Sequence, residues 1–259
     1  MADSRPKALT IAGFDPSGGA GVLADARTFV ALGCSASAVI TSITYQNSEL
    51  VFGAVHQTAE AVRDQITPLL AGPFACVKTG MLPTREVVNE VARLLRETGM
   101  PAPVVDPVIL SSSGQRLMDE EALETLIGEL LPLARLVTPN IPEAERFTAI
   151  QIESEPAMRE AAAAIRGMGA RAVLIKGGHL TSKHGVHESE DAIDVLDNEG
   201  VVTVFRHQRV PNVELRGTGC ILSAAIAAGL GKGRSLEDSV AAAKQFVFEE
   251  IRRVADRSD

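Results

Sequence analysis

The sequence predicts an α/β fold: a mainly parallel central sheet with helices on both faces and a small antiparallel edge. Short β-branched runs alternate with segments of helical periodicity through most of the chain, the pattern of a parallel sheet covered on both sides. Near the C-terminus two strand-like runs are separated only by Asn198-Glu199-Gly200, which reads as an antiparallel pair. The 259 residues are 46% hydrophobic, with no internal repeat, low-complexity tract or linker, so one domain over residues 1–259 is expected.

Taken in order, "ALTIAG" (Ala8–Gly13) reads as a strand, Gly21–Leu32 as a helix and "SASAVIT" as the next strand. "ACVKTG" (Ala75–Gly80) precedes a helix over Thr84–Thr98, where Val87, Val91, Leu94 and Leu95 recur at helical spacing. "PVVDPV" is the next strand, followed by an acidic helix opening at Asp119. "ARLVTPN" leads to a helical turn and a longer helix near Pro156–Gly167, then the strand "AVLIKGG". A polar loop over 180–190 separates it from "DAIDVL" and "VVTVFRH". Two helices close the chain; the second starts at Ser235 with Asp238 at capping-box spacing.

Charge and composition exclude several classes. The formal net charge is −8 with no basic block, which argues against nucleic acid or an anionic membrane surface as partner. No apolar run approaches the ~18 residues of a spanning helix, and the start lacks a signal-peptide cleavage pattern. Cys34, Cys76 and Cys220 are widely spaced, so neither a disulfide framework nor a structural zinc site is expected and a reducing cytoplasm fits.

In open α/β sheets ligands sit beyond the carboxyl ends of the strands. There stand Asp15, Lys78, Met81, Asp106, Asn140, Glu143 and Lys176. Acids, an amide and a lysine at neighbouring strand ends suit a metal–nucleotide site, although each alone reads as a satisfied loop polar group. Asp25 falls on the apolar arc of its helix with Val22 and Phe29. It is open to three readings there: dipole stabilisation, a core ion pair, or a ligand contact. Gly19, Gly21 and Ala24 form a G-x-G-x-x-A, a weak dinucleotide signal with no acidic residue at the end of the next strand. His184 and His187 sit among charged residues and read as a solvated flap rather than a metal site. In "RGTGCILSAAIAAGL", the N–H groups of Gly217, Gly219 and Cys220 at a helix start form a cradle for negative charge. That position is expected to lower the Cys220 pKa and make the thiolate a base; a small buried packing residue is the alternative.

Seven stretches in order, "AGFDPSGGAGVLAD", "TYQN", "KTGML", "VVDPV", "TPNIPEAE", "IKGGH" and "GTGCILSAAIAAGL", make the chain resemble the hydroxymethylpyrimidine/phosphomethylpyrimidine kinases of thiamine biosynthesis nearly end to end. The resemblance implies a ribokinase-like three-layer sandwich. It also implies an ATP- and Mg²⁺-dependent kinase acting on 4-amino-5-hydroxymethyl-2-methylpyrimidine and then its monophosphate. It places Gly13, Asp25, Gln46, Met81 and Val108 in the pyrimidine pocket, and Asp106 and Glu143 with Mg²⁺. Asn140 and Lys176 fall at the nucleotide, and Gly217, Thr218, Gly219 and Cys220 at the anion turn and base. It suggests a homodimer and leaves the need for K⁺ open. Four departures bear on specificity: Phe14 for serine, Tyr45 for alanine, Arg216 for histidine and Ile221 for threonine. Phe14 and Tyr45 are expected to flank the pocket and Arg216 to add charge near phosphate. The alternatives are a pyridoxine/pyridoxal kinase of the same fold and a non-catalytic pyrimidine sensor.

Overall fold

The computed structural model describes residues 4–47, 50–111, 114–178, 191–208 and 215–256. The expected flap over 180–190, with His184 and His187, lies outside the described residues.

Among the described residues nine strands form one sheet: β1 (Lys7–Phe14), β2 (Ser35–Gln46), β3 (Val51–His56), β4 (Cys76–Thr79), β5 (Val104–Val105), β6 (Leu136–Val137), β7 (Ala172–Gly177), β8 (Asp191–Asn198) and β9 (Val201–Gln208). The spatial order is β3-β2-β1-β4-β5-β6-β7-β8-β9. From β2 to β7 the neighbours are parallel. The β8–β9 pair is antiparallel, as its turn predicts. A second antiparallel edge is formed by β3 on β2, and this the sequence pattern does not announce. Its residues "VFGAVH" are largely exposed and carry no apolar alternation, so neither face writes itself into the sequence.

Eight α-helices accompany the sheet among the described residues: α1 (Gly21–Ala31), α2 (Ala59–Ile66), α3 (Arg85–Glu97), α4 (Glu120–Thr125), α5 (Ile141–Thr148), α6 (Glu155–Gly167), α7 (Thr218–Gly231) and α8 (Leu236–Ala255). Side-chain caps set several starts. Thr84, Asp119, Ser154 and Ser235 each accept a backbone N–H from the first turn of the helix that follows.

Period-two alternation divides the strand residues between two cores. Leu9, Val77, Val105, Val137, Val173 and Ile175 face the layer of α2 to α6. Their neighbours Ala8, Cys76, Val104, Leu136, Ala172 and Leu174 face α1, α7 and α8. Because both faces are covered, the short central strands are apolar at nearly every position.

Helix α7 is buried continuously from Leu222 to Gly229, which is why its sequence lacks a polar stripe. Small residues let α8 come close: a Cβ on Gly229 would lie 2.7 Å from Ser239 Oγ and 3.2 Å from its Cα. Gly229→Ala should therefore lower stability by ~1–3 kcal/mol through overpacking, read as a lower urea midpoint at unchanged m. Adding Ser239→Gly should recover most of the loss, and an unchanged midpoint in Gly229→Ala would refute the tight α7–α8 contact.

Candidate active site

Two glycine turns build the floor of the site. The turn after β1 is organised by Asp15, whose Oδ1 accepts the Ser17 N–H (2.9 Å) and hydroxyl (2.7 Å), and whose Oδ2 accepts the Ala20 N–H (3.0 Å). It delivers Gly21, at φ +61°, so close to Gly13 that a Cβ would be 2.1 Å from the Gly13 carbonyl oxygen. Gly217, at φ +76°, caps α7, and a Cβ there would be 2.0 Å from the Gly19 carbonyl oxygen. Only residues without a side chain permit this backbone-on-backbone approach. It brings the N-termini of α1 and α7 together beyond the strand ends.

The G-x-G-x-x-A run is thereby explained without a dinucleotide. Gly21 and Gly217 are spent on backbone approach, and the Gly21 N–H at the start of α1 is near enough to Cys220 to lower its pKa. At α7 the first intrahelical bond is Ile221 N–H to Gly217 C=O (2.9 Å). The N–H groups of Thr218, Gly219 and Cys220 therefore precede the ladder and form the anion cradle. The expected trio included Gly217; the structure makes Gly217 the cap and moves the cradle one residue on.

Asp106, just past β5, meets this cradle. Lys176 Nζ donates to Asp106 Oδ1 at 3.0 Å, Ser223 Oγ to Oδ2 at 3.2 Å and Thr138 Oγ1 to Oδ1 at 3.4 Å. A Cβ on Gly219 would lie 3.2 Å from Lys176 Nζ and 3.9 Å from Asp106 Oδ2. Burial pushes Asp106 up, but the charges of Lys176 and Lys78, with the Lys176 and Ser223 hydrogen bonds, outweigh it and hold the carboxyl below its usual range. Asp106 is an ionised, hard oxygen donor facing a row of N–H groups.

Asn140 and Glu143 first serve local structure. Asn140 caps α5 by accepting the Glu143 N–H (2.9 Å), and Glu143 Oε2 accepts the Asn140 N–H (2.9 Å), a complete capping box. Glu143 Oε1 also accepts the Ile109 N–H (3.3 Å). Burial raises its pKa, with Lys176 pulling the other way. Its contact with Ile109 fixes the loop holding Val108, which sits at φ +45°, a strained conformation for a β-branched residue.

Among the described residues no three His, Cys, Asp or Glu side chains converge to cage a metal. Asp106 and Glu143 nevertheless fit Mg²⁺, which needs only one or two carboxylates when it arrives with phosphates and water.

Beyond the end of β1, Met81 lies against Gly13, where a Cβ would be 3.0 Å from its Sδ. The Met81 carbonyl accepts the Thr41 hydroxyl at 2.6 Å. Gln46 ends β2, and its Oε1 accepts Arg216 Nη2 at 2.5 Å. Arg216 Nη1 also donates to the Asn47 carbonyl. Arg216 is thus turned to the end of β2 instead of toward phosphate, because the carbonyl and amide oxygens there offer it acceptors. Tyr45 is 52% exposed, with its ring against Gly53 of β3. Phe14 is half-buried at the end of β1, where its carbonyl accepts the Thr44 hydroxyl (2.9 Å).

Of the three readings of Asp25, the structure contains the core ion pair. Lys78 Nζ is 3.0 and 2.9 Å from the two carboxylate oxygens, Thr10 Oγ1 donates to Oδ2 at 2.6 Å, and Asp25 and Lys78 are both fully buried. Burial alone would lower Lys78; the Asp25 charge outweighs it and keeps the ammonium protonated. The strand "CVKT" carries the signal, since a lysine among buried residues demands an acid within reach. Ser223, the other unforeseen member, lies four residues after Gly219 and so on the same side of α7.

The expected low pKa of Cys220 is corrected. Burial is the largest influence and pushes the thiol up to about 11; Lys78 and the Gly21 N–H lower it, while Asp106 and Asp25 raise it further. The helix N-terminus is outweighed by desolvation beside two carboxylates.

The fold and this site define a phosphotransferase of the ribokinase-like class. Residues 15–257 match the phosphomethylpyrimidine kinase family, and the chain belongs to it. A hydroxymethylpyrimidine/phosphomethylpyrimidine kinase of Streptomyces coelicolor is 43% identical over 243 residues, covering 93% of this chain and 87% of that one. The crystal structure of a Clostridium difficile phosphomethylpyrimidine kinase superposes with a TM-score of 0.82 at 37% identity, covering 95% of this chain and 100% of that one. A Staphylococcus aureus pyridoxal kinase in complex with AMP-PCP and pyridoxal gives 0.85 at 29% identity, covering 96% and 88%. No helix among the described residues is long and apolar enough to cross a membrane.

Two outcomes are expected. Asp25→Ala strands a buried ammonium and should cost ~3–5 kcal/mol of stability, while the apolar pair Asp25→Leu with Lys78→Met should regain most of it in urea unfolding. Equal losses in single and double variants would mean the pair is not the source. Alkylation of Cys220 should accelerate tenfold per pH unit from neutrality, toward a midpoint near about 11. A plateau below pH 8 would instead reveal a poised thiolate.

Proposed function

We propose that this enzyme transfers the γ-phosphoryl group of ATP to the hydroxymethyl oxygen of 4-amino-5-hydroxymethyl-2-methylpyrimidine, and then phosphorylates the monophosphate, in thiamine biosynthesis. The observation that carries this reading is the meeting of the α7 cradle with the Asp106–Lys176 pair, where Gly219 has no side chain to keep phosphate away. The named activity of the Streptomyces coelicolor relative and the AMP-PCP bound to the Staphylococcus aureus pyridoxal kinase support it.

The chain's own groups have distinct parts. Lys176 and the N–H groups of Thr218, Gly219 and Cys220 receive the charge of the transferring phosphoryl oxygens. Gly13, Met81 and Val108 form the walls against the ring, and Gln46 contacts it from the edge. Asp25 serves this pocket by holding Lys78, whose charge lowers the Cys220 pKa. Mg²⁺, held by Asp106 and Glu143, would screen phosphate charge. As the hydroxymethyl oxygen bonds to phosphorus and the bond to ADP breaks, the hydroxyl proton passes to the Cys220 sulfur in its thiolate form. A thiol lying high when unliganded is scarcely ionised at neutral pH, so orientation and the cradle carry most of the rate.

Cys220→Ala should lose ~10²–10⁴-fold in kcat with little change in pyrimidine affinity. Wild-type turnover by that variant would remove the thiol from proton transfer. In the same ADP-release assay, hydroxymethylpyrimidine and its monophosphate should outcompete pyridoxal as substrates of the wild-type enzyme. Preference for pyridoxal would select the pyridoxal kinase reading. Tight pyrimidine binding without ADP release would select the sensor.

A further inference from the structure

The contact between Arg216 and Gln46 has a consequence for substrate recognition. Arg216 stands immediately before the cap of α7, and Gln46 is 170 residues away at the carboxyl end of β2. The guanidinium spans this gap over Gly19, where a Cβ would be 3.6 Å from Arg216 Cδ. It ends on two acceptors, Gln46 Oε1 at 2.5 Å and the Asn47 carbonyl. Asn47 is itself tied to Leu50, just before β3: its N–H donates to the Leu50 carbonyl (3.0 Å) and its side-chain oxygen accepts the Leu50 N–H (2.8 Å). Arg216 therefore grips a residue that is itself held in place, not only a loose side chain.

The chemistry of this contact is one-sided. A guanidinium has five N–H donors and no acceptor, so the atom of Gln46 facing it must be the amide oxygen. An unconstrained glutamine presents either its oxygen or its N–H₂ to a ligand by rotating about its last bond. With the oxygen held by a charge-assisted bond, the N–H₂ is the end left for the substrate. Resting on the pyrimidine kinase reading above, we infer that Arg216 is a positioning residue that locks Gln46 as a hydrogen-bond donor. It thereby selects ring substrates with an acceptor, an sp² ring nitrogen, at that edge. The arginine here, where the resembling family has histidine, would make the choice of donor permanent because arginine stays charged throughout the working pH range.

The test compares the pyrimidine with two analogues in which one or the other ring nitrogen is replaced by C–H. Wild type should disfavour one analogue by about 10- to 100-fold in kcat/KM, since the Gln46 N–H₂ then has no partner. In Arg216→Met, whose side chain retains length but no charge, KM for the pyrimidine should rise about 10-fold, with kcat and the KM for ATP within about 2-fold of wild type. The gap between the analogues should shrink to under about 3-fold as the amide regains its freedom. Arg216→Lys should restore part of the gap. Gln46→Glu, which keeps an acceptor for Arg216 but has no donor, should fold normally and lose pyrimidine binding.

If Arg216→Met keeps both the pyrimidine KM and the gap, or raises the KM for ATP equally, the positioning role is overturned while the kinase reading stands. If the wild-type enzyme does not turn over the pyrimidine at all, both are overturned. Retained pyrimidine binding in a folded Gln46→Glu variant would also overturn the donor assignment.

Discussion

The carboxylate of Asp106 joins four parts of the molecule at one buried point. It follows β5, takes a hydroxyl from the end of β6 through Thr138, an ammonium from β7 through Lys176, and a hydroxyl from α7 through Ser223. A carboxylate can be buried only if its lone pairs are satisfied and its charge is offset. Meeting those conditions pins the ends of three neighbouring strands to the first turns of α7. The anion cradle is thereby aimed at the lysine.

Two constraints of shape serve the same end. Glycines at 21 and 217 let one turn lie on the other with carbonyl oxygens where side chains would otherwise be. The small residues of α7 let it sink between the sheet and α8. The polar machinery sits at the edge of a tightly packed layer, so its groups are held by backbone and core rather than by loops alone. Positioning of this kind is what phosphoryl transfer asks of a protein, because little covalent chemistry falls to the side chains.

Charge is arranged in pairs. Asp25 and Lys78 form a fully buried one, and Asp106 and Lys176 form a second beside the cradle. Cys220 feels the charges of both pairs, and its thiol titrates high because burial adds to the two carboxylates. A third pair, Lys244 with Asp194 at 2.5 Å, braces the far side of β7: Asp194 also accepts the Gly177 N–H at 2.9 Å, one residue from Lys176. The ion pairs thus hold the strand that presents Lys176 to the cradle.

Much of this was legible in the chain itself. Alternating strand and helix patterns determine the layered sheet, because a strand covered on both faces is apolar throughout and a covering helix is apolar on one side. The residues at the strand ends identify the site, because chemistry in such sheets lies beyond those ends. What only the tertiary structure decided was which groups meet. Asp25 reads equally as ligand contact or ion-pair member until Lys78, 53 residues away, is brought against it. The glycines of the first turn suggest a dinucleotide until Gly21 is found against the Gly13 carbonyl and Gly217 against the Gly19 carbonyl, where no side chain fits. Arg216 suggests phosphate until Gln46 and Asn47 offer it nearer acceptors. Periodicity and motif spacing are local properties of a chain, whereas burial, and with it the sign and size of a pKa shift or the choice of a hydrogen-bond partner, is set by residues far apart in sequence.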